Sequence, residues 1–303
     1  MRKAFVKLHL SILLAGFTGV LGKIITLNEG LLVWYRVFIA SLVMAALILL
    51  RKRGAAGLCR LAGGISFGER LRQRGLWQMM GTGTLLTLHW VFFFGSIKAS
   101  NVSIGVVCFS ATGLFTALSE PLLNRRRIRL KEIVFSLIPL AGILLIFHFD
   151  VRYRTGILLG IISSLLAALF TITNKRVGKE RSSGTMLFYE MLGGLLCLSL
   201  LMPFYLHYFP VATLIPSLHD CIWLLIFATC CTVLLYLLQI EVLKSISAFT
   251  LNLSYNLEPV YSILIAMLFL GEAKELNFSF YIGLGLICFS VLLQTRQALK
   301  HSP

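Results

Sequence analysis

Residues 11–23 read SILLAGFTGVLGK and residues 163–175 read SSLLAALFTITNK, with the serine, the LLA tripeptide and the closing lysine in step at an offset of 152. Two such segments half a chain apart mark an internal repeat. Tyr35 and Arg36 then fall on Tyr189 and Glu190 at an offset of 154. Further on, Trp77, Lys98 and the stretch IKASNVS fall on Trp223, Lys244 and LKSISAF at an offset of 146. The offset changes are loop-length changes, chiefly extra basic residues between the second and third apolar segments.

The repeated segments are long and apolar. The chain has 303 residues, 58% hydrophobic and 13% charged, with a mean hydropathy of +0.88, which excludes an ordinary soluble domain. Ten apolar runs of roughly 17 to 25 residues, the length a helix needs to cross the hydrocarbon core, lie near 8–27, 30–50, 75–97, 101–123, 132–149, 155–174, 185–206, 221–240, 247–270 and 277–295. They are continuous and not alternating, so they are helices and not barrel strands. The expected fold is an all-α polytopic membrane protein of ten transmembrane helices in two repeats, residues 1–150 and 151–303. Five helices per unit is an odd number, so the second unit enters the membrane upside down relative to the first. An inverted repeat of this kind lets two conformations exchange around one central site.

The net charge of +16 would suggest a nucleic-acid partner in a soluble protein. Here its distribution gives it another meaning. With the N-terminus inside, 22 of the 28 Lys and Arg fall in cytoplasmic segments, including 7 in residues 51–74 and 5 in residues 125–131. That is the positive-inside pattern, and it places both chain ends in the cytoplasm. The basic runs are then topology and headgroup contacts, and no nucleic-acid partner is expected. The start, MRKAFVKLHLSILLAGF, has the outline of a signal peptide. Its echo in mid-chain argues that it is retained. The 7 cysteines form no CxxC pair or metal-spaced set, and no metal or cofactor is expected.

The stretch SAFTLNLSYNLEPVYSILIAMLFLGEAKEL carries a more specific signal. Its Ala248, then Leu257 to Val260, then Leu270, Gly271 and Glu272, together with Arg36, resemble the drug/metabolite transporter superfamily, in particular its EamA-like branch. The first repeat departs from that pattern: Gly113 stands where Pro259 maps, and Arg125 and Arg126 stand where Gly271 and Glu272 map. The resemblance implies ten helices, cytoplasmic ends, a central cavity and efflux of amino acids or other small metabolites.

Ionisable groups at membrane depth cost roughly 2.5 to 3.5 kcal/mol each on insertion scales, so each needs a partner, a wet cavity or an exit route. Glu258 lies about 11 residues into its helix, or roughly 16 Å, close to the midplane. Pro259 beside it removes a backbone donor and is expected to kink the helix. Tyr255 and Asn256 complete a polar patch. Glu258 is expected to bind a cationic substrate group or a coupling proton; the competing account is a packed, bonded acid. His89 and Trp90 reach similar depth and suit a cavity wall, although a lone histidine more often bonds a neighbouring helix. Ser110 and Thr112 map onto Asn256 and Glu258 and are expected to line the same cavity. Arg36 and Glu190 are shallower and on opposite leaflets, so a direct ion pair between them is not expected. With Tyr35 and Tyr189 they are either gate contacts or side chains snorkelling to headgroups.

These residues suit a secondary carrier exporting a small polar or amphipathic metabolite across a bacterial inner membrane by alternating access. The same fold with a lipid-linked or nucleotide-sugar cargo would require several inward Lys or Arg to meet phosphate. An intramembrane enzyme would require a nucleophile with a base, or a metal set, and neither HExxH nor GxSxG occurs.

Overall fold

A computed structural model describes residues 2–51, 74–125, 153–179, 181–211 and 213–271, with isolated positions between 127 and 141 and between 278 and 289. The described elements are helices α1 (Arg2–Ile24), α2 (Glu29–Arg51), α3 (Arg74–Ala99), α4 (Val102–Phe109), α5 (Thr112–Leu123) and α6 (Arg154–Gly178). They continue as α7 (Ser183–Tyr208), α8 (Leu218–Ala228), a π-turn at Thr229–Leu234, α9 (Leu235–Leu243), α10 (Ala248–Ser254), a 3₁₀ turn at Tyr255–Leu257 and α11 (Glu258–Phe269). No strand occurs among the described residues.

Seven stretches are long and apolar enough to span a membrane; α4 with α5 makes one of them and α8 through α9 another. Each matches an expected run within a few residues at either end. The expected run 247–270 is α10 and α11, divided by the 3₁₀ turn. The expected helices at 132–149 and 277–295, and Glu272 of the family-like stretch, lie outside the described residues except for scattered positions.

Side-chain caps begin several helices. Asn28 accepts from Leu31 N at 2.9 Å, Asn101 from Ile104 N at 2.8 Å, Ser182 from Thr185 N at 3.2 Å and Ser247 from Thr250 N at 2.9 Å. Each satisfies an amide that the first helical turn leaves without a partner, an effect of about 1 kcal/mol. Glu120 of α5 adds its carboxylate to Phe249 N at 3.2 Å, so the first half of the chain helps to start α10 in the second.

The bundle is organised around α3, which packs along both α6 and α7. Small residues permit the α3–α7 approach: a Cβ on Gly83 would collide with the Glu190 backbone, and one on Gly193 with the Met80 backbone. Large apolar side chains such as Leu42, Leu158, Leu200 and Leu268 stay exposed on the bundle's outside, as lipid contact requires.

Candidate functional site

Six spans converge on a small chamber of about 40 Å³. It is walled by Ala15 and Thr18 of α1, His89, Trp90 and Phe93 of α3, and Phe109 of α4. Across from these stand Thr171 of α6, Tyr236 and Gln239 of α9, Asn252 of α10, Tyr255 of the 3₁₀ turn and Glu258 of α11. A space of this size holds a few waters and no metabolite, whose pockets run from roughly 300 to 1,000 Å³. Among the described residues, the space at the centre is therefore too small for a cargo.

Glu258 owes its place to the break in its span. The α-helix stops at Ser254, three residues turn as 3₁₀, and α11 restarts at Glu258 with Pro259 in its first turn. The break thus lies upstream of the proline, because a missing N–H costs nothing in a first turn, where amides have no helical acceptor. Glu258 is buried on the chamber wall, and its carboxyl has no hydrogen-bond partner among the described residues. Tyr255 reaches the wall as well and donates its hydroxyl to Ser11 Oγ at 3.0 Å.

His89 is held through Ser163. The Ser163 hydroxyl lies 3.1 Å from the His89 carbonyl, and His89 Nδ1 lies 3.0 Å from the Ser163 carbonyl and 2.7 Å from its hydroxyl oxygen. A carbonyl only accepts, so Nδ1 carries the proton and Nε2 is left as an acceptor. The competing account of a histidine bonded to the neighbouring helix is thus met, and the ring still faces the chamber.

Trp90 donates its indole N–H to the Tyr236 hydroxyl at 3.0 Å, across 146 positions of sequence. That separation equals the repeat offset, so equivalent residues of the two halves meet at the chamber.

Behind Trp90 lies Arg36, wholly buried. Its guanidinium sits 3.8 Å from the Trp90 ring centroid and 4.1 Å from that of Phe227. Nε donates to Thr232 Oγ1 at 2.7 Å and Nη2 to the Cys231 carbonyl at 2.9 Å. Both partners belong to the π-turn, whose irregular ladder frees a carbonyl to face the cation. Nη1 has no partner among the described residues. Two aromatic faces and two neutral acceptors, with no described carboxylate in ion-pair range, hold this charge. Snorkelling is excluded for Arg36, which turns inward.

Glu190 is also wholly buried and accepts from Asn174 Nδ2 at 2.6 Å. Its Oε2 and the Asn174 Oδ1 lack partners among the described residues. Arg36 and Glu190 form no bridge with each other among the described ion pairs. Of the neighbouring tyrosines, Tyr35 donates to the Leu214 carbonyl at 3.2 Å in the α7–α8 connection, and Tyr189 packs on Phe188.

Three expected lining residues lie off the wall. Thr112 turns back to the Phe109 carbonyl at 2.6 Å, and Ser110 is buried in the turn between α4 and α5. Asn256 is buried facing Gly113 of α5. The reason is rotational: residues two apart lie about 200° round a helix, so Asn256 points away from the wall that Glu258 forms.

Their places are taken by Asn252, Gln239 and Tyr236, which sequence reasoning passed over. Asn252 donates to Thr116 Oγ1 at 2.8 Å and accepts from Thr171 Oγ1 at 3.1 Å, clasping α5, α6 and α10 together. Tyr236 had a signal, since the repeat maps Trp90 onto it; Asn252 maps onto Val106 and had none.

Seven long apolar spans packed around a buried acid that has no partner among the described residues make this a multi-pass membrane protein. The comparisons with known proteins agree. The sequence model of the EamA-like transporter family matches residues 3–148 and again residues 154–296, and the chain belongs to that family. It is 25% identical over 280 residues to the uncharacterized transporter YxxF of Bacillus subtilis (strain 168), covering 90% of this chain and 84% of that protein. A crystal structure at 19% identity superposes with a TM-score of 0.66, covering 98% of each chain, and so shares the fold. The protein is a membrane transporter.

Proposed function

We propose that the protein exports a small amphipathic metabolite, an amino acid or a related compound, across the inner membrane by alternating access of its two inverted halves, with both chain ends in the cytoplasm. The observation that carries this reading is Glu258, a buried acid without a described partner on the wall of the small chamber between the halves. Such a group binds either the ammonium of the cargo or a coupling proton. Trp90, Tyr255 and His89 supply a face on which an amphipathic cargo stacks, and Asn252 and Gln239 supply amide groups. Arg36 and Glu190, with Tyr35 and Tyr189, serve as contacts that break on one side as the other closes. The Tyr35 bond to Leu214 supports this by tying α2 to the α7–α8 connection.

A nucleotide-sugar or lipid-linked cargo would bring phosphate, and no Lys or Arg stands among the lining residues. Membership of a transporter family speaks against the intramembrane enzyme.

Efflux from proteoliposomes loaded with a panel of amino acids and related metabolites, with and without a pH gradient, tests the proposal. Glu258→Gln is expected to abolish efflux of the cargo or its response to the gradient. Undiminished efflux with an unchanged response would remove Glu258 from the mechanism.

A further inference from the structure

The helix that walls the chamber has a second working face. While His89, Trp90 and Phe93 look inward, Leu88, Val91, Phe92 and Gly95 of the same helix form the floor of a separate groove of about 730 Å³. Leu159 of α6 and Leu198 and Leu201 of α7 make its sides. The groove is as large as a drug-sized ligand pocket. It nevertheless offers almost no hydrogen-bonding groups along its length, so it suits a hydrocarbon chain and not a polar metabolite.

Its polar groups are all at one end. There Glu29 and Lys98 also belong to a second cavity of about 660 Å³, lined by Thr26, Asn28, Ser217 and Asp220. Lys98 spends one donor on the Ile25 carbonyl at 3.2 Å, and Glu29 spends one oxygen on the Tyr205 hydroxyl at 2.6 Å. Each keeps bonding capacity for a ligand. Asp220 is already bonded through both oxygens to Thr26, at 2.9 and 2.7 Å. Tyr205, Tyr208 and Phe209 flank this end, as aromatic residues do at a membrane interface.

We propose that this groove holds one phospholipid with a primary-ammonium headgroup, its acyl chain along α3 between α6 and α7, its phosphate at Lys98 and its ammonium at Glu29. Charge complementarity selects the headgroup. A purely anionic lipid would satisfy Lys98 and meet the carboxylates of Glu29 and Asp220, and a choline headgroup has no N–H to give Glu29. The proposal is independent of the cargo assigned to the chamber.

The test uses full-length protein in nanodiscs containing phosphatidylethanolamine with a photoreactive acyl chain, the labelled peptides being mapped by mass spectrometry. Labelling is expected to concentrate on α3, α6 and α7 and to be displaced by unlabelled phosphatidylethanolamine in preference to phosphatidylcholine or phosphatidylglycerol. Leu159→Trp, which fills the groove, is expected to abolish it, and Leu196→Trp on the exposed face of α7 to leave it intact. Lys98→Gln is expected to weaken displacement about tenfold, the loss of one charge-assisted bond. Because an overfilled groove can misfold, Leu159→Ala provides a second variant that keeps the site and is expected to retain labelling. Labelling spread evenly over the lipid-facing surface, labelling undiminished in Leu159→Trp, or equal displacement by all three lipids would overturn the proposal. So would loss of transport in Leu159→Trp with labelling unchanged, which would make the groove part of the cargo's path.

Discussion

The two halves of the chain agree at their helix ends and differ at their centres. Asn28 and Ser182 cap helices at an offset of 154, and Asn101 and Ser247 do so at an offset of 146. Both halves break a span at the same level, at Ser110–Ala111 and at Tyr255–Leu257. Both then leave that span through a residue with positive φ, Arg125 at 51° and Gly271 at 69°. At the centre the equivalences fail: Arg36 stands against Glu190, His89 against Leu235, Thr112 against Glu258 and Gly113 against Pro259. The ends fix where helices start and stop, which both halves need alike. Under the proposed function the centre binds one asymmetric cargo at a time, so its chemistry need not be duplicated.

The sharpest form of this contrast is Arg36 against Glu190. Truncating Arg36 to Ala opens a cavity between Trp90 and Phe227 and strips Thr232 and the Cys231 carbonyl of their donors. Together these are expected to cost roughly 3 to 5 kcal/mol. Glu190→Gln is expected to do the opposite. Its amide can keep the bond from Asn174 Nδ2 and donate to the free Asn174 Oδ1, pairing both orphaned atoms. Thermal unfolding in detergent is expected to drop sharply for Arg36→Ala and to hold or rise for Glu190→Gln. Lost transport in a Glu190→Gln protein of undiminished stability would mark the carboxylate as a moving contact. A stable Arg36→Ala would show that the π-turn needs no cation.

The hydrogen bond between equivalent residues of the two halves is worth less. Trp90 and Tyr236 exchange a single hydrogen bond of 3.0 Å. Tyr236→Phe is expected to lose about 1 kcal/mol, and Trp90→Phe more, because it also shrinks the buried ring against which Arg36 packs. The double variant is expected to lose little more than Trp90→Phe alone, because Tyr236 then has no donor left to lose. Fully additive losses would mean that each side chain is held by its own surroundings and that the meeting across the repeat carries no energy.

How much of this was legible in the sequence follows the same division. The described spans were readable because they depend on local composition, an apolar run of sufficient length. Glu258, His89, Trp90 and Tyr255 line the chamber, and their common depth could be counted along their helices. Depth alone does not give the side of the helix on which a residue stands. Asn256, two residues from Glu258, was placed on its wall with Ser110 and Thr112, none of which lines it, and Asn252 was missed. Arg36 was read as shallow from its distance to the helix end, yet its neighbours draw it inward. The π-turn that receives it had no sequence signal, since TCCTVL reads as ordinary helix.

The smallest expected effect tests whether the two helix exits are equivalent in energy as well as in backbone. A left-handed conformation costs an L-residue roughly 1 to 2 kcal/mol, and glycine almost nothing. The first half therefore bears a strain at Arg125 that the second avoids at Gly271. Arg125→Gly is expected to relieve it. Because glycine also loses about 0.4 to 1 kcal/mol more entropy on folding, the net gain is about 0.5 kcal/mol. Gly271→Ala is expected to lose about 0.5 kcal/mol, the left-handed strain it introduces outweighing the smaller entropic gain of removing a glycine. Opposite shifts in the thermal midpoint of the two variants would establish that both halves require the same backbone turn and that only one carries the residue suited to it. A loss of stability in Arg125→Gly would mean that the arginine side chain outweighs the strain of its backbone through contacts of its own.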